Sequence, residues 1–297
     1  MFPKEHRLLL VDGHAFAYRA FHAIRQLSAP DGAPTNAIFG FIKTLTKIQN
    51  QIQPEYLQVA WDGGMAAERL AELPQYKAQR PPMPDALAAQ LDRIQDWLAA
   101  SGLPSFCQDA VEADDWIATA TRQALEQGAV VIIASPDKDF MQLVSERVAL
   151  LNPNDTSDTL WTPQRVVEKT GVQPSQIVDW LSLIGDAVDN IPGVEGVGPK
   201  TATKLLQQFG TIHALYEHLN DLNSDALRQA LQAAEADVRR NQRLIRLNDR
   251  LPVPLTLECL RPASPDIGRL RELYANWGFR SLLRELMSGA QTQAELF

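Results

Sequence analysis

The stretch Val130-Val131-Ile132-Ile133-Ala134-Ser135-Pro136-Asp137-Lys138-Asp139 decides the fold. Its first five residues are all apolar, which fits a strand buried on both faces, as in a parallel sheet. Two carboxylates follow just beyond the strand end. Arg7 to Val11 and Leu57 to Trp61 repeat the design, running into Asp12 and Asp62, and Val148 to Leu151 reads as a further strand. Helical spacing lies between these runs: Ile38, Phe41, Ile42, Leu45 and Ile48 within Asn36 to Ile48; Leu87, Leu91, Ile94 and Leu98 within Asp85 to Ala100; and Trp116 to Gln127. Gly102 and Gly128 are the expected helix stops. Strands alternating with helices predict an α/β fold, a parallel sheet with right-handed crossovers and both faces covered.

From about Thr162 helical periods dominate and strand signals vanish. The expected organisation is an α/β metal-binding core over residues 1–170, a helical region over 171–286 and a flexible tail over 287–297. Gly63-Gly64 and Arg80-Pro81-Pro82-Met83-Pro84 bracket a weakly periodic excursion, about 63–85. Long excursions of this kind are usually functional or mobile.

The 297 residues are 45% hydrophobic and 22% charged, which argues against disorder, collagen and coiled-coil rods. No apolar run reaches the ~18 residues of a membrane span. The short run after the charged Met1 to Arg7 stops at Asp12, unlike a signal peptide. Cys107 and Cys259 are too few for a disulfide framework, so a cytoplasmic protein with reduced thiols is expected. The formal charge is −8, which taken bluntly argues against a nucleic-acid partner. Nine carboxylates read as one site, however: Asp12, Asp62, Glu112, Asp114, Asp115, Asp137, Asp139, Asp186 and Asp189. Without them 27 acids face 28 bases, and the remaining body is nearly neutral.

Ligand sites of open α/β sheets lie at the carboxyl ends of strands, where Asp12, Asp62, Asp137 and Asp139 all fall. Glu112, Asp114 and Asp115 open the Trp116 helix, whose dipole favours negative charge. Singly, each is a turn former or a cap. Gathered together they repel one another unless cations bind. Mg²⁺ suits such oxygen ligands. The five histidines (His6, His14, His22, His213, His218) have no zinc-like spacing; His14 and His22 stand near enough to Asp12 for a role there, but a structural or surface role is the stronger reading.

Ile191 to Ala202, Ile-Pro-Gly-Val-Glu-Gly-Val-Gly-Pro-Lys-Thr-Ala, joins a helix over Pro174 to Ile184 to one over Thr201 to Phe209. This helix-hairpin-helix pattern places free amides, a helix dipole and Lys200 where a phosphate fits, and would bind a nucleic-acid backbone without reading bases.

Several motifs appear in one order: Asp12-Gly13 with Tyr18-Arg19-Ala20-Phe21-His22, Pro34-Thr35-Asn36-Ala37, Tyr76-Lys77-x-x-Arg80, Glu112-Ala113-Asp114-Asp115, Asp137-Lys138-Asp139 with Gln142-Leu143, and Gly185-Asp186-x-x-Asp189-Asn190-Ile191-Pro192-Gly193. From about Leu8 to Leu286 the chain resembles the 5′-nuclease (flap endonuclease) family, above all the 5′→3′ exonuclease domain of bacterial DNA polymerase I, here expected to stand alone. The resemblance implies a PIN-like parallel-sheet core, a helical arch formed by the excursion of about 63–85, and a helix–three-turn–helix DNA-binding element. It further implies one metal region served by Asp12, Asp62, Glu112, Asp114 and Asp115, and a second served by Asp137, Asp139, Asp186 and Asp189, with Asp114 shared and some acids binding through water. Mg²⁺ is the expected metal, with Mn²⁺ as a substitute and K⁺ at the hairpin. Expected DNA contacts are Arg19, Gly193, Gly196, Gly198, Lys200, Thr201 and Lys204. One departure stands out. The family's aromatic-Arg pair after the second-strand Asp is Glu68-Arg69 here.

The expected reaction is in-line attack of a metal-activated hydroxide on a DNA phosphodiester, two metals roughly 3.5–4 Å apart clamping the attacking and leaving oxygens. By resemblance the products are a 5′-phosphate and a 3′-hydroxyl. Lys77 and Arg80 would stabilise phosphate charge, and Tyr76 would stack on the base nearest the cut. Two rivals stay open at this point. A non-catalytic DNA-junction binder would not need the full acid set, and a small-molecule phosphohydrolase would leave the hairpin without a role. The expected partners are DNA 5′ ends, flaps and nicks, RNA–DNA primers, and the sliding clamp, reached through Gln293-x-x-Leu296-Phe297. A monomer associated with the nucleoid is expected.

Overall fold

A computed structural model describes residues 6–155 and 159–294. Five parallel strands form the sheet, β1 (Arg7–Asp12), β2 (Tyr56–Ala60), β3 (Ser105–Phe106), β4 (Val130–Ala134) and β5 (Val148–Leu151), in the order β3-β2-β1-β4-β5. Because side chains alternate along a strand, Leu8, Leu10, Val131 and Ile133 enter one core and Leu9, Val11, Ile132 and Ala134 the other. Leu8 to Val11 are all fully buried, and each leucine there is worth roughly 1.5–3 kcal/mol relative to exposure. Chain order leaves β1 in both directions, towards β2 and towards β4. This is the switch point at which open α/β sheets bind ligands.

Helices α1 (Gly13–Ala23), α2 (Asn36–Ile52), α3 (Ala67–Glu72), α4 (Asp85–Ala100) and α5 (Ala113–Glu126) accompany the sheet. α1, α2 and α4 bury Phe16, Phe41 and Ile94 in one core, and α5 buries Trp116 and Ile117 in the other. The expected strands and helices are present within a few residues. α1 and the two-residue β3 have no periodic signal in the sequence. Asp12 caps α1, its Oδ1 accepting the Ala15 N–H at 3.0 Å, so one residue ends the strand and starts the helix.

The remainder comprises α6 (Pro163–Thr170), α7 (Ile177–Ile184), α8 (Pro199–Phe209), α9 (Ile212–Glu217), α10 (Asp225–Ile245), α11 (Ile267–Asn276) and α12 (Arg280–Ala294). The helical region does not stay apart from the sheet. Residues 248–257 run along α5, where Gln123 bonds Val253 and Leu255, and Gln127 bonds Leu255 and Leu257. α11 and α12 then return to the core of α1, α2 and α4 through Leu270, Leu273, Trp277 and Leu282. α12 continues to Ala294, so the expected flexible tail from Met287 is helical that far. Gln293 falls in its last turn, and Leu296 and Phe297 lie outside the described residues. Among those described, no helix is long and apolar enough to cross a membrane.

Close approach after β2 positions the site. The Gly63 N–H donates to Val111 O and its carbonyl accepts the Ala110 N–H, both at 2.9 Å. A Cβ on Gly63 would lie 1.8 Å from the Gln108 carbonyl oxygen, so only glycine lets Asp62 reach the start of α5. Gly63→Ala should cost on the order of 3 kcal/mol and lower Tm in calorimetry. An unchanged Tm would show that the contact can yield.

Candidate active site

A cleft of about 680 Å³ opens at the carboxyl ends of β1, β2 and β4, lined by Asp12, Asp62, Asp114, Asp137, Asp186 and Asp189 and by Lys77, Arg80 and Lys138. Asp12 is buried and its Oδ2 accepts the Ser135 hydroxyl at 2.8 Å. Burial pushes its pKa up to about 7 against the hydrogen bonds from Ala15 and Ser135, with Asp62 and Asp137 adding to the rise. Burial likewise raises Asp114, reinforced by Asp137 and Asp12, and Asp137, reinforced by Asp189 and Asp186. It also raises Asp139, reinforced by Asp137, Asp186 and Asp189. The Asp62 Oδ1 accepts the Ala113 N–H at 2.9 Å, which joins the end of β2 to α5.

Basic side chains sit among these acids. Lys138 Nζ is 3.1 Å from Asp186, and Arg80 donates to Asp189 at 2.6 Å. Lys77 Nζ donates to Glu112 at 2.6 Å, and Glu112 also accepts the Ala66 N–H at 3.0 Å. Burial would raise the Glu112 pKa, but Lys77 and Arg69 hold it below the ordinary range.

Three expected site residues do not face the cleft. Glu112, expected beside the metal, is buried and taken up by Lys77 and Arg69. Asp115, expected beside the metal, faces away from the cleft: Arg69 grips both its oxygens at 2.7 Å, and Asn248 N–H adds a third bond at 2.8 Å. Arg69 also donates to the Leu244 carbonyl, so this buried pair ties α3, α5 and the end of α10 together. Breaking a buried pair of this kind costs about 3–5 kcal/mol. Tyr76, expected to stack on a base, is only 4% exposed. Its ring lies in the core with Lys77 Nζ 4.9 Å from its centroid, and its hydroxyl meets Asp189 at 3.4 Å. Tyr18, which lines the cleft, is the aromatic within reach.

His14 also lines the cleft beside Asp12, the lesser of the two readings its sequence position allowed. Its Nδ1 accepts the Asp62 N–H at 3.1 Å, its ring packs edge-on against Trp61, and burial lowers its pKa despite Asp62 nearby. It is therefore a neutral group near pH 7.

The donor set fits a hard divalent cation. It consists of oxygens, burial and neighbouring acids raise Asp12, Asp114, Asp137 and Asp139, and the buried Asp139 Oδ1 has no hydrogen-bond partner. Among the described residues no three His, Cys, Asp or Glu side chains stand close enough to hold one ion directly. Binding shared with water, as Mg²⁺ prefers, matches that spread.

On the helical side, Val194 and Val197 are buried while Gly193, Gly196, Gly198, Lys200 and Lys204 are exposed, with Thr201 half-buried. Gly196 has φ +76°, and the α8 start presents its first amides beside Lys200. Arg19 is turned to Asn154, donating to Oδ1 at 3.0 Å.

The arrangement, an acid-lined cleft on a parallel sheet beside an exposed hairpin, is that of a phosphodiester hydrolase acting on a polymer. Residues 7–171 match the family model of the 5′-3′ exonuclease N-terminal resolvase-like domain, and residues 172–268 that of the 5′-3′ exonuclease C-terminal SAM fold. The chain belongs to the 5′-3′ exonuclease family and is a 5′ nuclease. It is 38% identical to a 5′-3′ exonuclease of Aquifex aeolicus over 94% of each chain. It is 36% identical to the thermostable DNA polymerase I of Thermus thermophilus over 96% of this chain, but over 34% of that much longer protein. The same fold occurs in the bacteriophage T5 flap endonuclease solved with DNA and metal ions (TM-score 0.68, 22% identity, 96% of this chain and 99% of that one). It also occurs in the catalytic core of Rad2 solved with a DNA substrate (TM-score 0.63, 16% identity, 92% and 87%).

Raised carboxyl pKa values make the folded chain hold protons that the unfolded chain has released, so without divalent ions stability falls as pH rises from about 4 to 7. Asp114→Asn removes one repelling charge. In chelator it should raise Tm at pH 8 by ~2–4 °C for each kcal/mol relieved and flatten the decline, as scanning calorimetry over pH 4–8 would record. A Tm at pH 8 at or below wild type would contradict this.

Proposed function

We propose that the chain hydrolyses DNA phosphodiesters at 5′ flaps, nicks and RNA-primer ends by a two-metal mechanism. Mg²⁺ is the working ion, Mn²⁺ a substitute, and K⁺ a ligand of the hairpin. The observation that carries this reading is the convergence of Asp12, Asp62, Asp114, Asp137, Asp186 and Asp189 on one cleft that also receives Lys77 and Arg80. Bound divalent ions would supply an activated water and neutralise charge on the reacting phosphate. Asp12, Asp114, Asp137 and Asp139 would hold those ions, whose charge would offset the burial and repulsion that raise these acids. Asp62, Asp186 and Asp189, the last two already paired with Lys138 and Arg80, would complete the shell through water.

Lys77 and Arg80 do the chain's own work on the phosphate. Each is now satisfied by a carboxylate, Glu112 and Asp189 respectively. A phosphate entering between them gives each a second anionic partner whose charge grows in the transition state. His14, held neutral, can donate through Nε2 without adding charge. Tyr18 offers an aromatic face at the cleft wall for an unpaired base.

The exposed Gly193, Gly196, Gly198, Lys200, Thr201 and Lys204 support docking of duplex backbone on the α8 start, away from the cut. Arg19 adds a backbone contact once released from Asn154. The Gln293-x-x-Leu296-Phe297 sequence supports delivery to DNA by the sliding clamp. We place the enzyme in the cytoplasm at the nucleoid, acting as a monomer.

A 5′-labelled flap with Mg²⁺ tests the reading. Wild type should release short 5′-labelled products and leave a simple phosphomonoester intact, and Asp62→Asn should not cut. Lys77→Ala should lower the single-turnover rate about 10²-fold with flap affinity little changed. A loss confined to affinity would reduce Lys77 to steering, and an uncut wild-type flap would overturn the function.

A further inference from the structure

We propose that Asn190, which has no place in the chemistry above, is a positioning residue that clips the arch to the metal loop and so sets where the Lys77 ammonium sits. The inference rests on the nuclease reading just given. Asp186 and Ile191 exchange both backbone hydrogen bonds at 2.8 Å, closing a short loop that carries Asp186 and Asp189. The Asp186 Oδ1 accepts the Val188 N–H at 2.9 Å and shapes its turn. The last loop residue, Asn190, has φ +57°, a left-handed conformation that asparagine tolerates better than other side chains. From there its Nδ2 donates to the Gln75 carbonyl at 2.9 Å.

Two residues further along the arch, Lys77 is itself left-handed, with φ +56°. A lysine in that region costs roughly 1–2 kcal/mol, and such residues persist only where surrounding contacts over-determine them. Here the contacts come from the same loop: the Lys77 N–H donates to the Asp189 carbonyl at 3.0 Å. The segment Gln75-Tyr76-Lys77 is thus held at its first residue by the Asn190 side chain and at its third by the backbone of Asp189. The Tyr76 ring is buried in the core. With Lys77 turned this way, its ammonium reaches Glu112 at 2.6 Å. Arg80 has its own anchor on Asp189, so losing the Asn190 bond frees Lys77 rather than the whole arch. Aspartate at 190 would keep the backbone preference but lose the donor and add a negative charge next to Asp189 in the chain.

The test is a double-mutant cycle. Asn190→Gly keeps the left-handed backbone and removes only the amide donor. It is made in wild type and in Lys77→Ala, and single-turnover cleavage of a 5′-labelled flap in Mg²⁺ is followed. Flap affinity in chelator and Tm are measured on the same proteins. In wild type, Asn190→Gly should slow cleavage about tenfold, as a misplaced catalytic group does, with affinity within about twofold and Tm little moved. In Lys77→Ala the same change should slow cleavage by less than about twofold, because its effect runs through Lys77. A tenfold loss that persists in Lys77→Ala overturns the proposal, as does Asn190→Gly cutting at the wild-type rate or losing only affinity. Lys77→Ala cutting at the wild-type rate also overturns it, since nothing is left to position. A wild type that leaves the flap intact overturns the nuclease reading itself and this inference with it.

Discussion

Mutual repulsion among buried carboxylates is the constraint on which this structure turns. Asp12, Asp114, Asp137 and Asp139 are held out of water by the sheet and its helices, and burial raises the pKa of each, with neighbouring acids adding to the rise. Four acids in such a place cannot all be charged without positive partners. The chain supplies some partners itself, Lys77, Arg80 and Lys138, by folding an arch and a loop over the cleft. The remainder of the demand falls to ligands.

The helical region completes this cleft rather than hanging beside it. Asp186 and Asp189 come from the turn after α7, which Asn241 of α10 holds from below by donating to Ser182 and Pro192 carbonyls. Arg69 locks the arch base to α5 through Asp115 and to α10 through the Leu244 carbonyl. α11 and α12 close the opposite core.

Much of this was legible in the sequence because strand-end geometry is. An apolar run ending in Asp fixes where that Asp lies relative to the sheet, and Asp12, Asp62 and Asp137 lie there. What could not be read is side-chain direction within helices and the arch. Glu112, Asp114 and Asp115 are consecutive or nearly so, yet only Asp114 faces the cleft, because α5 turns its neighbours towards Lys77 and Arg69. Tyr76 sits in a motif that suggests an exposed ring, but the arch folds inward and buries it. α1 was invisible because its buried face is built largely of alanines beside Phe16. The strap along α5 was invisible because its partners are glutamines with no period.

The central claim is that the cleft holds protons which divalent ions displace. Calorimetric titration of Mg²⁺ at pH 7, repeated in two buffers of different ionisation enthalpy, measures it most directly. The account predicts Mg²⁺ binding with an apparent enthalpy that differs between the buffers, by the amount expected for proton release on binding. That difference should shrink in Asp114→Asn. Identical enthalpies in the two buffers, or no Mg²⁺ binding at all, would contradict it.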